Sequence, residues 1–175
     1  MNRISLTVML VFLMGWASMG LVPGWVLSPV LGSWSMKEIH WITKDTTYSI
    51  ENAQPGIFIF TPTSYSLMWI PVDAPRQAFR NLSRPTDAEI KAGFQTVVFN
   101  AGSYEWTDST LTSTAHIAKV PGFEGGRQYF SYKIDRDEMI LTMFDETYPD
   151  GSKPEWYGRY VTKFVLRRME TWDAE

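Results

Sequence analysis

The sequence predicts an all-β fold, an antiparallel sandwich or barrel carrying one short helix. Three observations lead there. From Leu31 onward, aromatic and β-branched residues come in runs separated by turn residues. The runs are joined mostly by short polar turns, which suit strands that pair with their sequence neighbours. One segment alone, after Pro85, changes from alternation to helical spacing. With 45% hydrophobic and 20% charged residues, the chain has enough apolar side chains to build a core.

The first twenty residues stand apart. Arg3 precedes a nearly uncharged run from Ile4 to Gly20, and the small residues Ala17, Ser18 and Gly20 close it. This is the layout of a secretory signal peptide, with cleavage expected after Gly20 and a secreted or periplasmic product. An uncleaved anchor is the rival, and it would be the chain's one route to a membrane. Residues 21–30 read as a linker and 31–170 as the folded domain.

The strand runs are 31–44, 56–61, 65–70, 102–106, 111–118, 127–134, 139–144 and 157–168. Pro62-Thr63-Ser64, Thr107-Asp108-Ser109 and Asp135-Arg136-Asp137 turn the chain between consecutive runs. Thr86-Asp87-Ala88-Glu89 is a Thr-x-x-Glu capping box, in which the first side chain and the fourth each satisfy the other's backbone N–H. Ile90, Phe94 and Val97 follow at helical spacing, so a helix is expected over about 87–98. Loops 72–85, 119–126 and 145–155 are longer and rich in Pro, Gly and charge.

Charge and composition exclude several functions. Sixteen basic against nineteen acidic residues leave a net charge of −3, which offers nucleic acid no electrostatic footing. With no cysteine there is no disulfide, thiolate metal site or thiol nucleophile. Two histidines, His40 and His116, do not make a zinc site. No metal or cofactor is expected. The chain has no Gly-x-Ser-x-Gly elbow, no His-Glu-x-x-His and no phosphate loop. Asp135, Asp137 and Glu138 read as a solvated turn, and the acids of 145–155 as surface charge.

Gly32-Ser33-Trp34 opens the first strand, and Arg167-Arg168 closes the last. A Gly-x-Trp with a late arginine resembles the lipocalin superfamily, where the indole plugs the closed end of an eight-stranded barrel and the arginine packs across it. Leu31–Trp34, Pro55-Gly56-Ile57-Phe58-Ile59-Phe60-Thr61-Pro62, Tyr65-Ser66 and the helix leading into Asn100-Ala101-Gly102-Ser103-Tyr104 are similar, more narrowly, to the bacterial and fungal lipocalin-like domain family. Thr63-Ser64 departs from that family's Asp-Gly turn, and His116 does not coincide clearly with its histidine. The resemblance implies an up-and-down barrel of about eight strands over 30–168, with the helix covering one barrel end. It also implies structural roles for Gly32, Trp34 and an arginine of the pair Arg167 and Arg168, Arg167 being the one named first. It implies a cavity, not a reaction.

Strand alternation then places side chains. If Trp34 points inward without interruption, Glu38 and His40 enter the barrel. A bulge after Met36 would instead bring Ile39 and Trp41 inward. On 127–134 the face of Gln128, Phe130, Tyr132 and Ile134 is the better core. His116 falls on the rim or outside. The expected ligand contacts are Glu38, His40, Phe58, Tyr65, Trp69, Tyr104 and Tyr132, with the insert 72–98 as a lid. The expected function is binding of a small hydrophobic molecule. A cofactor-free isomerase or cyclase, using Glu38 and His40 as an acid–base pair, is the alternative.

Overall fold

The structure, a computed structural model, describes residues 27–169. The expected signal peptide over 1–20 lies outside the described residues, as does most of the linker. The described residues form nine strands and one helix. In chain order they are β1 (Gly32–Thr43), β2 (Thr47–Ile50), β3 (Ile57–Phe60), β4 (Ser64–Trp69), α1 (Asp87–Gln95), β5 (Val98–Trp106), β6 (Thr110–Ala118), β7 (Arg127–Asp135), β8 (Glu138–Thr147) and β9 (Tyr160–Arg168). From β3 onward each strand pairs antiparallel with the next, and β9 returns to pair with β1. β2 and β3 both pair with β1, one after the other along its length. They make one interrupted stave, so the sheet closes as an eight-stranded barrel with no long free edge.

Closure leaves two ends. The turns after β3, β5 and β7 gather at one of them, and Trp34 closes it. The indole is fully buried, and its Nε1 donates to Val30 O at 2.8 Å. The guanidinium of Arg168 lies 4.1 Å from the ring centroid and donates to Leu31 O at 2.8 Å. The partner is Arg168, not the expected Arg167. Leu166 is buried inside the barrel, so alternation turns Arg167 outward, where it is exposed, and Arg168 back in. Gly32 has φ +115°, and a Cβ there would sit 3.0 Å from Arg168 Nη1. The glycine of Gly-x-Trp is therefore what admits the guanidinium.

Three bulges reset which side chains face inward. β1 pairs Met36 with Leu166 and Glu38 with Val165, which leaves Lys37 as the extra residue. Trp34 and Met36 face in before it, Ile39 and Trp41 after it. In β6 the extra residue is His116, between Ala115 and Ile117. Its site requires Gly102 opposite, because a Cβ on Gly102 would lie 2.0 Å from Thr114 O. In β8 it is Phe144, since Met143 pairs with Phe130 and Asp145 with Tyr129. Each bulge inserts one residue and inverts the alternation beyond it.

The interior next to Trp34 is packed solid. Phe58, Phe130, Phe164, Leu141 and Leu166 are essentially inaccessible, and Phe164 meets Phe58 and Trp69 edge-on at 5.3 and 5.0 Å.

The helix ends earlier than expected, at Gln95 with Thr96 as C-cap. Val97-Val98-Phe99 prefers extended backbone, and Val98 already pairs with Trp69. The capping box is present: Thr86 Oγ1 accepts from Glu89 N, and Glu89 Oε2 accepts from Thr86 N at 2.8 Å. β2 is a strand the reading of the sequence passed over.

Trp34→Ala is expected to cost about 3–5 kcal/mol, the range for emptying a large buried aromatic site. Arg168→Met should cost roughly 1–3 kcal/mol, from a partly buried cation–π contact and a charged hydrogen bond. Arg167→Met should stay within about 0.5 kcal/mol. Urea melts of the three variants check the ranking, and equal losses at Arg167 and Arg168 would contradict the assignment. Gly102→Ala should lose more than about 2 kcal/mol in the same assay, as expected for a Cβ driven into backbone.

Candidate functional site

The opposite end of the barrel holds a cavity of about 530 Å³. It lies where β5 and β7 begin and where β6 and β8 end. Its walls are mainly apolar, with Val98, Phe99, Ala118, Val120, Phe123 and Pro149 among them. Asn100, Gln128 and Glu146 supply a polar base, and Tyr148, Lys119 and Asp150 complete the rim.

Strand parity brings the polar groups together. Asn100 and Gln128 occupy inward positions of β5 and β7 and are buried. Glu146 faces in because of the bulge at Phe144; an unbroken alternation from Leu141 would have turned Asp145 inward instead. The three side chains join in one directed chain. Tyr65 O–H donates to Asn100 Oδ1 at 2.7 Å, and Asn100 Nδ2 donates to Gln128 Oε1 at 3.2 Å. Gln128 Nε2 then donates to Glu146 Oε2 at 2.7 Å. Burial pushes the Glu146 carboxyl above the usual carboxylate range. The bond from Gln128 opposes that shift, and the neighbouring Asp145 adds to it. Burial likewise pushes the Tyr65 hydroxyl up to about 12, so it is a donor at every physiological pH.

The expected contacts fall differently. Phe58, Trp69, Tyr104 and Tyr132 are buried in the packed interior, and none of them lines the cavity. Tyr104 and Tyr132 aim their hydroxyls away from it, at Thr61 O and Thr107 O in the turns of the closed end. Tyr65 alone reaches the site, from below, through Asn100.

Glu38 and His40 require a correction. The Lys37 bulge turns both to the outer face, and Ile39 fills the place His40 was expected to hold. There His40 bonds Glu38 Oε2 through Nε2 at 2.8 Å and Ser49 Oγ through Nδ1 at 2.7 Å. The hydroxyl–imidazole–carboxylate order is that of an acyl-transfer site. Its placement is that of a polar row across the β1–β2 ladder, where His40 and Ser49 are directly opposite. It does not border the cavity, so the acid–base pair proposed for the interior does not exist there. His116 is exposed as the bulge residue, with Nε2 3.2 Å from Ser103 Oγ.

Of the insert 72–98, Val98 alone, its last residue, lines the site. No residue of α1 is buried, and none of the residues before Val98 lines the cavity. Phe79 packs against Gly93, and Arg76 donates to Thr96 Oγ1 at 3.0 Å, so the insert folds chiefly on itself. It is tied to the barrel by Gln54, whose Nε2 donates to Asp73 O at 2.8 Å, and by Lys119. The ammonium caps the end of α1 at Phe94 O (2.6 Å) and Val97 O, and lies 4.2 Å from the Phe94 ring centroid.

The residues missed by sequence reasoning were thus Asn100, Gln128 and Glu146. Gln128 had been placed on the correct face, and three amide or acid side chains at inward strand ends are a signal for a polar barrel mouth. Glu146 was beyond reach of alternation because the bulge precedes it.

Comparison with known proteins bears on the fold. A family model described as a lipocalin-like domain matches residues 31–162. No curated protein matches the chain. Among solved structures, the chain is similar to an uncharacterized protein from Bacteroides eggerthii DSM 20697. The two are 14% identical over 79% of this chain and 98% of that one, with a TM-score of 0.39.

The raised affinity of Glu146 for its proton has a stability consequence. A carboxyl that binds its proton more tightly when folded favours the fold below its unfolded pKa, about 4.3. That contribution is lost as pH rises toward the folded value. Glu146→Gln should therefore melt at a higher temperature than wild type at pH 7, and the gain should disappear at about pH 4 and below. Calorimetry at the two pH values checks this, and a gain independent of pH would contradict it.

Proposed function

The chain belongs to the lipocalin-like domain family, and from that premise we propose that it binds a small, largely apolar molecule at the open end of its barrel. The observation that carries this reading is the cavity itself: about 530 Å³, with apolar walls over a base of buried, hydrogen-bonded side chains. That size lies within the range of about 300–1,000 Å³ usual for small-molecule sites. A molecule seated there gains by covering Phe99, Val120 and Phe123, at about 25 cal/mol per Å² of apolar surface removed from water. The amide chain beneath fixes its orientation. The site lies on the β5–β8 wall, since the centre of the barrel is filled by its own side chains.

The same reading has the protein act after export, as the apolar run from Ile4 to Gly20 suggests. The intact mass of protein taken from its native host should then lack about the first twenty residues.

N-phenyl-1-naphthylamine, a neutral apolar fluorophore, should bind wild-type protein with enhanced emission at one site. Ala118→Trp places an indole into the cavity wall and should reduce that binding at least tenfold without lowering the melting temperature by more than a few degrees. Unchanged affinity in the variant would place the fluorophore elsewhere and remove the support for this site.

A further inference from the structure

Resting on the cavity reading above, we propose that the ligand is a small organic cation, a protonated amine on an apolar body, whose ammonium group ion-pairs with Glu146. The argument begins with direction. Tyr65 donates to Asn100, Asn100 to Gln128 and Gln128 to Glu146, so these side chains pass their donors toward one carboxylate. Such a chain reinforces itself link by link and ends on the strongest acceptor available. It occupies Oε2 of Glu146 and leaves Oε1 to whatever enters the cavity.

Among the described residues the carboxylate has no counter-ion. The ion pairs among the described residues join Glu38 to His40, Asp145 to Lys153 and Asp137 to Arg168. Asp145, adjacent in sequence, points to the outside and takes Lys153 at 2.7 Å. Lys119 is the one basic residue of the cavity lining, and its ammonium is turned away onto the carbonyls at the end of α1. A carboxylate held in a mostly apolar wall costs stability unless a cation joins it. Burial raises its proton affinity accordingly, and a bound ammonium would reverse that shift. Two aromatic rings suit the same occupant: Phe123 and Tyr148 meet edge to face with centroids 6.2 Å apart beside the opening. Ring faces attract cations and cover apolar carbon equally well. An anionic ligand would meet Glu146 and Asp150 with no free ammonium to receive it.

Three isosteric probes test the proposal by calorimetric titration at pH 7: 3-phenylpropylamine, 3-phenyl-1-propanol and 3-phenylpropanoate. Wild type should prefer the amine to the alcohol by at least tenfold and show no binding of the acid. Glu146→Gln keeps the acceptor for Gln128 and should bring amine and alcohol to within about twofold. Glu38→Gln, on the outer face, should leave the preference intact. Equal affinity for amine and alcohol in wild type, with the neutral fluorophore still bound, would overturn the cationic ligand while sparing the cavity reading. An amine preference that survives Glu146→Gln would overturn the role of Glu146. Failure of the fluorophore and all three probes to bind wild type would overturn both readings.

Discussion

Side chains on a strand alternate between two faces, and in a closed barrel one face is the entire interior. Strand parity therefore decides the role of nearly every residue. This barrel inverts parity at Lys37, His116 and Phe144. The first inversion keeps Glu38 and His40 out of the core and gives their places to Ile39 and Trp41. The second brings Ala118 to the cavity wall. The third delivers Glu146 to the cavity and sends Asp145 out to Lys153. Had the first or the third been absent, a charged or polar group would sit in the wrong compartment at a cost of several kcal/mol; without the second, Ile117 would take the inward place of Ala118. A bulge needs room in the neighbouring strand, and Gly102 provides it opposite His116.

The two ends of the barrel are built from different chemistry because they face different problems. At the closed end a single indole fills the bore, and Arg168 both covers its face and satisfies the carbonyl of Leu31. The hydroxyls of Tyr104 and Tyr132 satisfy turn carbonyls there, so both rings can be buried with their polar tips paired. At the open end the bore ends in Asn100, Gln128 and Glu146, and the chain of bonds among them starts from Tyr65 in the packed layers. The polar base is thus anchored to the rigid part of the fold, which is what a binding site requires to hold a ligand in one orientation.

The architecture was legible because it is encoded locally. Runs of aromatic and β-branched residues broken by short turns announce antiparallel strands, and Thr86-x-x-Glu89 announces a helix start. Gly32-x-Trp34 with an arginine in the last strand pointed to the closed end through its resemblance to the lipocalin superfamily. What escaped were features that depend on a partner strand. A bulge is set by the register of two strands, not by the sequence of one, so alternation left two outcomes open for β1, and the bulge after Met36, with Ile39 and Trp41 inward, is the one the structure has. The choice between Arg167 and Arg168 was the same problem at a smaller scale, because it follows from Leu166 facing in. The helix boundary moved because Val97 and Val98 fit helical spacing in isolation and fit an extended strand better beside Trp69. The aromatics expected around a ligand were core, as large side chains in a narrow barrel tend to be.

Glu146 shows how the same geometry serves stability and function in opposite directions. For folding alone, a glutamine there would keep the bond from Gln128 and avoid the cost of a desolvated charge. A leucine would do as well only if Gln128 lost its own need for an acceptor. Glu146 has neither advantage, and it lies where apolar walls raise the cost of its charge. The chain does have lysines at hand on both sides, yet Lys153 is drawn outward by Asp145 and Lys119 is held by the end of α1. Neutralisation by the protein's own cations is thus blocked from two directions. On the proposed reading, a charge that the fold leaves uncompensated in the cavity would be compensated by the cation it takes up, and its cost in the empty protein would become part of the affinity.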